Sequence, residues 1–467
     1  MNALQEKMFA EWKNKTVFND AQQYGYQYLD SIQNRNVYPT RQAIADLKVF
    51  DETLPEYCGD AAAVLAMLHS YGSAATVAQL GGRYFGFVCG SAVPAGLAAK
   101  NLATFWDQNT AMYVLSPLAA KLEAVVEQWL QAIFHLPANT AAGFVSGTSS
   151  ANFCALAAAR YRLLKNQCWD INADGFAHAP AIRIITGKEA HSTVLKAIGL
   201  LGFGHKRIEF VETDEQGRII PALIPALDNS CLLILQAGNV NSGSFDDFSA
   251  VCAKARAAGA WIHVDGAFGL WAGATEKLAH LTNGIEHAHS WAVDGHKTLN
   301  TPYDCGIVLC ADKEALSGAL HMSAGYIVLS EDRDGMFYTP EMSRRARVIE
   351  LWATMKYLGR QGIDQLITTL HERALQFASA ISEMKGFTVL NAVVFNQVLV
   401  GCETDELTAA VVKQVQELRD CWVGGSVWKG RKVIRVSVCS WATTATDIAV
   451  AAASFQKALH IIQTESI

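Results

Sequence analysis

The sequence predicts an α/β fold, with a mostly parallel central sheet flanked by helices and followed by a smaller α+β C-terminal domain. From about residue 140, short apolar runs alternate with helical stretches, which is the pattern of a parallel sheet covered by helices on both faces. From about residue 344 the pattern changes to long helical stretches and two short apolar runs. The 467 residues are 51% hydrophobic and 18% charged, as expected for a globular chain with a large core.

These changes of pattern divide the chain into three predicted parts, because no repeat, low-complexity tract or long linker marks a boundary. Residues 1–85 form an N-terminal helical segment that Pro39 and Pro55 interrupt. Residues 86–343 form the large domain that contains the sheet, and residues 344–467 form the small C-terminal domain.

The individual elements follow from residue spacing. Apolar residues at helical spacing, with Pro117 before the second stretch, predict helices at residues 61–70, 118–136, 151–164, 191–201, 248–258, 344–358, 366–384 and from 446 onward. Short apolar runs predict strands at residues 182–185, 208–211, 232–236, 261–264, 290–293, 306–310, 397–400 and 433–438, and residues 143–145 are the end of another strand. Ligands of such sheets bind at the carboxyl ends of the strands, so the residues that follow each strand are the candidates for chemistry.

Composition and charge exclude several classes of protein. The net charge of -6 and the lack of a Lys/Arg-rich run argue against a nucleic-acid partner. Residues 1–10 contain Glu6 and Lys7 and have no apolar core of a secretory signal, and apolar stretches such as 61–68 are too short to span a bilayer. The 11 cysteines are odd in number and scattered, which favours reduced, mostly buried thiols in a cytoplasmic protein.

The first candidate site follows the strand that ends at Val145. A glycine turn there leads into three hydroxyl residues, Thr148, Ser149 and Ser150, and then directly into a helix. The free N–H groups and the positive dipole end of a helix N-terminus suit a phosphate. An ordinary Ser/Thr helix cap is the alternative interpretation.

Two further strand ends carry a carboxylate and an amine. Asp265 closes one buried strand, where an ionised carboxylate is costly unless it meets a positive partner. Lys297 follows the next strand beside His296, and a neutral lysine amine can form an imine with an aldehyde. Because both residues close strands of one sheet, 32 positions apart in the sequence, we expect them to face one cleft.

Three other features are weaker. His191 opens a helix and either stacks on a flat ring or simply caps that helix. The pair His287 and His289 lacks a third metal ligand at a suitable spacing, so no metal site is predicted. The glycine-rich run 199–204 ends a helix instead of opening one, so it does not match a dinucleotide fingerprint.

Together and in this order, these motifs resemble the group II pyridoxal-5′-phosphate (PLP)-dependent amino-acid decarboxylases. That family includes the aromatic amino-acid, glutamate, diaminobutyrate and histidine decarboxylases. The resemblance covers roughly residues 80–445, and its motifs are residues 146–152, 190–192, 263–267 and 294–297, with flanking matches at 83–87, 116–117, 236–243 and 435–438.

The resemblance implies a fold-type-I PLP enzyme, usually a homodimer with its active sites at the subunit interface. It implies that Lys297 carries the cofactor as an internal aldimine and that Asp265 pairs with the pyridinium nitrogen. His191 then stacks on one face of the ring and Ala267 packs on the other. The implied phosphate contacts are Thr148, Ser149 and Ser150, with His296 beside them. Asn239 stands where the aromatic decarboxylases carry a threonine.

The activity implied is decarboxylation of an L-amino acid to its amine and CO2. In the family a mobile loop supplies a tyrosine that returns a proton to the substrate carbon. The corresponding stretch here, residues 330–340, contains Tyr338, which we expect to be catalytic. Relatives with phenylalanine at that tyrosine form aldehydes oxidatively, and Phe337 lies next to it, so an aldehyde-forming reaction is an alternative. A carbon–carbon lyase or an aminotransferase of the same fold type is another.

The expected substrate is an aromatic amino acid, with a small polar or cationic amino acid as the alternative. Side-chain selectivity is expected from Phe85, Phe87 and the segment 107–113, of which Asn109 and Ala111 are smaller or more polar than a dedicated aromatic pocket suggests. We expect a cytoplasmic homodimer with no nucleic-acid or membrane partner.

Overall fold

The protein is described from a computed structural model, over residues 1–321 and 332–465. Its large sheet consists of β1 (Ala141–Val145), β2 (Arg183–Gly187), β3 (Ile208–Val211), β4 (Cys231–Gln236), β5 (Trp261–Asp265), β6 (Ser290–Asp294) and β7 (Gly306–Cys310), in the order β1-β7-β6-β5-β4-β2-β3. The strand β7 is antiparallel to both β1 and β6, and the other neighbouring pairs are parallel. The strands β1, β2, β4, β5 and β6 therefore all end at the same edge of the sheet, which confirms the predicted α/β class.

Helices cover this sheet and build the rest of the chain. They are α1 (Ala3–Asn14), α2 (Thr16–Ser31), α3 (Arg41–Asp46), α4 (Ala61–Met67), α5 (Ser73–Ala75), α6 (Pro94–Trp106), α7 (Pro117–Ile133), α8 (Thr148–Lys165), α9 (Ile171–Asp174), α10 (Ser192–Leu200), α11 (Phe248–Ala257), α12 (Lys313–Leu320), α13 (Val348–Ser382), α14 (Asp405–Leu418) and α15 (Ala445–Glu465). Among these described helices, none has the length and apolar character to cross a membrane.

The smaller sheet is antiparallel and lies in the C-terminal part of the chain. Its strands β8 (Thr388–Val389), β9 (Gln397–Gly401), β10 (Gly424–Trp428) and β11 (Arg431–Ser437) have the order β10-β11-β9-β8. The main core joins both sheets, since buried residues of β4, β5 and β6 pack in the same cluster as those of β9, β11 and α13.

Several elements differ from those predicted from the sequence. The predicted helices 344–358 and 366–384 form one element, α13, which bends at Gly359 (φ 60°). It begins at Val348 because Arg344 turns inward and binds the buried Glu123 at 2.8 Å. The helices α6, α9, α12 and α14 and the strands β8 and β10 were not predicted; Gly424 and Gly425 weaken the apolar pattern of β10. The predicted domain bounds at residues 85 and 343 stay predictions.

Candidate active site

A cavity of about 210 Å³ opens where β1, β4, β5 and β6 end. The residues that line it are Val88, Gly147, Thr148, Ser149, His191, Thr193, Gln236, Gly238, Val240, Asp265, Ala267, Phe268, Asp294, His296 and Lys297. Seven predicted site residues are among them. The parallel direction of the strands brings these distant parts of the sequence together.

One end of the cavity is formed by the start of α8. Thr148 is the first residue of the helix, and its buried hydroxyl has no hydrogen-bond partner among the described residues. Its neighbour Ser149 is exposed and also lines the cavity, whereas the Ser150 hydroxyl lies 3.2 Å from that of Ser146. A buried hydroxyl without a partner, beside the N–H groups of a helix N-terminus, fits the phosphate of a cofactor.

The amine of Lys297 lies in the middle of the cavity wall. Its Nζ is 3.1 Å from a carboxylate oxygen of Asp294, whose side chain is buried at the end of β6. The same oxygen is 3.6 Å from Nε2 of His296, and Nδ1 of His296 accepts a hydrogen bond from the backbone N–H of Cys305. Burial lowers the pKa of His296 and the proximity of Lys297 lowers it further, although Asp294 opposes them, so His296 is neutral at pH 7.

Asp265 closes β5 and is held by hydrogen bonds to both carboxylate oxygens. The side-chain amide of Asn152 donates to Oδ2 and the backbone N–H of Ala267 donates to Oδ1, each at 3.2 Å. The side chain therefore presents a fixed, buried negative charge to the cavity. Such a charge fits a cationic ring nitrogen.

His191 caps a helix and also lines the cavity, so its capping role is confirmed, whereas stacking on a flat ring stays a prediction. Its Nδ1 accepts a hydrogen bond from the backbone N–H of Thr193, the second residue of α10. Burial is the main cause that lowers the pKa of His191, Lys297 and Arg435 add to it, and Asp265 opposes them. A neutral imidazole therefore lines the cavity.

Comparison with known proteins decides the family. Residues 84–400 match the conserved domain of the pyridoxal-dependent decarboxylases. The chain belongs to this family. Its cofactor is therefore PLP, and its reaction is the decarboxylation of an amino acid.

Relatives of this decarboxylase act on different side chains. It is 29% identical over 388 residues to the aromatic-L-amino-acid decarboxylase of Bacillus atrophaeus, which covers 78% of each chain. It is 28% identical over 309 residues to the L-2,4-diaminobutyrate decarboxylase of Rhizobium meliloti, with 63% of this chain and 59% of that one covered. The structure of Oryza sativa TDC with PLP and tryptamine superposes with a TM-score of 0.87 at 21% identity, covering 96% of this chain and 98% of that one.

Tyr338 does not line the cavity of this decarboxylase. It is 7% exposed and packs in the core beside β1 and β7, with its ring 4.3 Å from the guanidinium carbon of Arg333. Of the stretch 330–340 expected to form the loop, residues 330 and 331 lie outside the described residues. The catalytic role of Tyr338 stays a prediction, and the observed position gives it no support.

The aromatic residues expected to select the substrate separate into two groups. Phe85 is fully buried and packs against Phe377, so it belongs to the core. Phe87 is 61% exposed and stacks on Trp422 at 5.9 Å, and the next residue, Val88, lines the cavity. Phe87 lies in a turn and has a positive φ of 50°, so the chain does not continue as a strand from Phe85 and the two side chains part.

Sequence reasoning missed several residues around the site. Asp294 was quoted in its motif without a role, although a buried acid at a strand end next to a lysine is itself a signal. Asn152 was likewise quoted only as part of the hydroxyl motif. Arg435, whose guanidinium donates to the carbonyl of Val240, lies close enough to His191 to influence its pKa.

The histidine pair that could have suggested a metal has other contacts. The ring of His289 stacks on Trp261 at 5.0 Å and its Nδ1 accepts the backbone N–H of Ile262, while His287 lies 3.7 Å from Glu286. Within residues 1–321 and 332–465, no three His, Cys, Asp or Glu side chains are grouped to hold a metal ion.

Proposed function

We propose that this decarboxylase converts an aromatic L-amino acid to its amine and CO2, with Lys297 as the residue that binds PLP. The observation that carries the proposal is the convergence of Lys297, Asp265 and His191 on one cavity. PLP enzymes hold the cofactor through a lysine amine and a partner for its pyridine nitrogen, such as a carboxylate, and the neutral imidazole of His191 offers a flat ring beside them.

The residues divide the work between holding the cofactor and handling the substrate. PLP, when bound, supplies an electron sink for the bond that breaks. Asp265 keeps a negative charge beside the ring nitrogen, and His191 and Ala267 hold the ring between them. Thr148 and Ser149 donate hydrogen bonds to the phosphate at the start of α8, with His296 beside it and Ser150 supporting the turn.

Lys297 and Asp294 form the proton-handling pair of the site. Nζ of Lys297 lies 3.1 Å from the Asp294 carboxylate, and it would be a free amine there whenever the substrate holds the cofactor. Asp294 can then hold the protonated form of Nζ close to the reacting carbon through its negative charge.

The aromatic cluster beside the cavity supports an aromatic substrate. Trp422 stacks between Tyr84 at 5.2 Å and Phe87 at 5.9 Å, and Gly86 makes room for it, since a Cβ on Gly86 would lie 1.9 Å from the indole. Exposed aromatic faces next to a site favour flat apolar side chains. The 29% identity to a relative named for aromatic amino acids points the same way.

The test is product analysis by mass spectrometry with single amino acids in D2O. PLP-loaded protein is expected to convert an aromatic amino acid to an amine lighter by CO2 that carries one deuterium on the former α-carbon. Lys297→Ala gives the background. An aldehyde product would instead indicate the oxidative reaction, and no turnover with PLP still bound would favour a carbon–carbon lyase.

Phe87→Ala tests the substrate side chain. It is expected to lower kcat/KM for aromatic amino acids about tenfold, the order of one lost aromatic contact. Phe210→Ala, which removes a 47% exposed phenylalanine from β3, is the matched control. A preference for glutamate or diaminobutyrate in the wild type would overturn the aromatic assignment.

The N-terminal helices support a homodimer. No residue of α1 or α2 is buried in the single chain, and Phe9 and Trp12 are 52% and 67% exposed. Phe105 at the end of α6 packs edge-on against Phe18 and is itself 62% exposed. An apolar surface of this kind marks an interface, and a second copy is the occupant that the family resemblance implies. Sedimentation velocity is expected to give a dimer, which Trp12→Glu weakens.

The cysteines support a location in the cytoplasm. All eleven lie in the described residues, none forms a disulfide, and eight are buried. Reduced thiols of this kind are typical of a reducing compartment. Fractionation of cells that express the tagged protein at native level tests the proposal, and recovery outside the cytoplasmic fraction would contradict it.

A further inference from the structure

A continuous chain of hydrogen bonds lies behind Asp265, on the side away from the cavity. The indole N–H of Trp261 donates to the Ser290 hydroxyl at 3.1 Å, and that hydroxyl lies 3.0 Å from Nδ1 of His263. Nε2 of His263 is 2.9 Å from the side-chain oxygen of Asn152. The Asn152 amide donates to Asp265 at 3.2 Å.

The direction of every bond in this chain follows from its two ends. A carboxylate only accepts hydrogen bonds, so Asn152 must turn its N–H2 toward Asp265 and its oxygen toward His263. That oxygen requires a donor, so His263 must carry its proton on Nε2. Nδ1 is then an acceptor, which the Ser290 hydroxyl satisfies by donating to it. Trp261, which only donates, fills the acceptor position left on that hydroxyl.

We propose that His263 is a positioning residue whose Nε2–H tautomer fixes the orientation of the Asn152 amide, and through it the Asp265 carboxylate at the cofactor's ring nitrogen. The opposite tautomer would rotate the amide and place its oxygen against the carboxylate, where two acceptors repel each other. The inference rests on the proposed role of Asp265. His263 itself is fully buried in the middle of β5 and does not line the cavity.

The burial of these groups supports a fixed chain. His263, Asn152 and Ser290 are each 0% exposed, so water does not compete for their hydrogen bonds. Burial lowers the pKa of His263 to about 3, so the ring is neutral throughout the working range of pH and has one donor and one acceptor. In such surroundings a chain of bonds is cooperative, and an unpaired member is costly.

The tautomer is measured by nitrogen-15 NMR of protein labelled at histidine, first without PLP and then with it. His263→Gln, by the loss of one signal, assigns the resonance. The proposal expects a neutral ring with its proton on Nε2 in both states, because the chain exists without the cofactor. A proton on Nδ1, or a ring that is protonated at pH 7, overturns it.

The consequence for the cofactor is measured in three variants of the PLP-loaded enzyme. His263→Leu removes the donor to Asn152, and we expect the dissociation constant of PLP to rise about 10- to 100-fold, the factor of one lost hydrogen bond to a group that binds a charge. The pH midpoint of the cofactor's visible absorption is expected to shift. His263→Gln places an amide N–H near the position of Nε2 and should restore both the PLP dissociation constant and the absorption midpoint. If the leucine variant does not fold, Ser290→Ala is a smaller change to test, and it should shift the PLP dissociation constant and the absorption midpoint in the same direction as expected for His263→Leu.

The controls separate this inference from the proposed function. His371→Leu removes another buried histidine, one whose Nδ1 lies 2.7 Å from the Phe395 carbonyl, and should cost stability without a change of the absorption midpoint. Asp265→Asn should change both readouts strongly. If Asp265→Asn changes the PLP affinity and the absorption midpoint and His263→Leu changes neither, the positioning role of His263 is wrong. If neither does, the role of Asp265 is wrong.

Discussion

Replacing Gly306 with alanine is expected to weaken PLP binding, although Gly306 does not line the cavity. It begins β7, and an added Cβ would lie 2.3 Å from Cα of Gly147 and 2.6 Å from its nitrogen. Gly306 is held by its pairing with Val145 of β1 on one side and with Asp294 of β6 on the other. The glycine turn before α8, which contains Gly147, must therefore move.

The size of that displacement follows from the contact distance. Ordinary van der Waals contact begins at 3.4 Å, so the backbone of Gly147 must move by about 1.1 Å, the difference from 2.3 Å. A displacement of about 1 Å in a positioning element costs roughly 100-fold in activity, and overpacking costs about 1–3 kcal/mol of stability. We expect the dissociation constant of PLP to rise by a similar factor, since Thr148 and the first N–H groups of α8 move with the turn.

The assay is titration of the apoprotein with PLP, followed by absorbance, with urea unfolding of the same samples. Gly425→Ala is the matched control, because it also changes a strand glycine, but its Cβ would meet side-chain atoms at 4.0 Å. Unchanged PLP affinity in a folded Gly306→Ala protein would refute the assignment of the turn before α8 as the phosphate site.

Three further predictions address other parts of the molecule. Tyr338→Phe should leave the amine as the product, measured by mass spectrometry, because the ring is buried outside the cavity; an aldehyde product would restore its predicted catalytic role. Glu123 is buried, which by itself raises its pKa, but the guanidinium groups of Arg344 and Arg333 lower it below the ordinary 4.5 overall. The free energy of unfolding should therefore fall as the pH drops below 4.5. In urea unfolding, Glu123→Gln should cost about 3–5 kcal/mol at pH 7 and should make the free energy of unfolding less dependent on pH. Arg435→Met should raise KM for every amino acid, since a half-buried positive charge near His191 would attract the substrate carboxylate; the affinity for PLP, measured by titration, should not change.

The fold class, and the meeting of the predicted motifs at one cavity, could be predicted because both depend on short stretches of sequence. The strands of the large sheet other than the edge strand β3 are runs of mostly buried residues, and the chemistry follows where such a run ends, as at Asp265 and Lys297. The rule that parallel strands end at one edge then brings distant motifs into one cavity. Of the hydroxyl cluster, Ser150 is the member that turns away, because in a helix consecutive side chains point about 100° apart.

The residues that sequence reasoning missed have roles that depend on contacts formed only in the folded chain. Asp294 faces Lys297 three residues away because the chain turns sharply after β6, and the hydroxyl of Ser290 reaches His263 across the paired strands β5 and β6. Tyr338 was assigned from its place in the sequence alone. Its burial depends on Gly143 of β1, where a Cβ would lie 2.0 Å from the Tyr338 carbonyl oxygen.

The same sheet supplies both the reactive groups and their supports, which lie on one face of its strands at different distances from the carboxyl edge. In β5, Asp265 closes the strand at the cavity while His263, two residues earlier on the same face, lies beneath it. In β6, Ser290 begins the strand beside His263, and Asp294 ends it beside Lys297. Substitutions along one face of these strands should therefore affect the cofactor in proportion to their distance from the carboxyl edge, whereas substitutions on the opposite face, such as Val264→Ala, should cost stability alone.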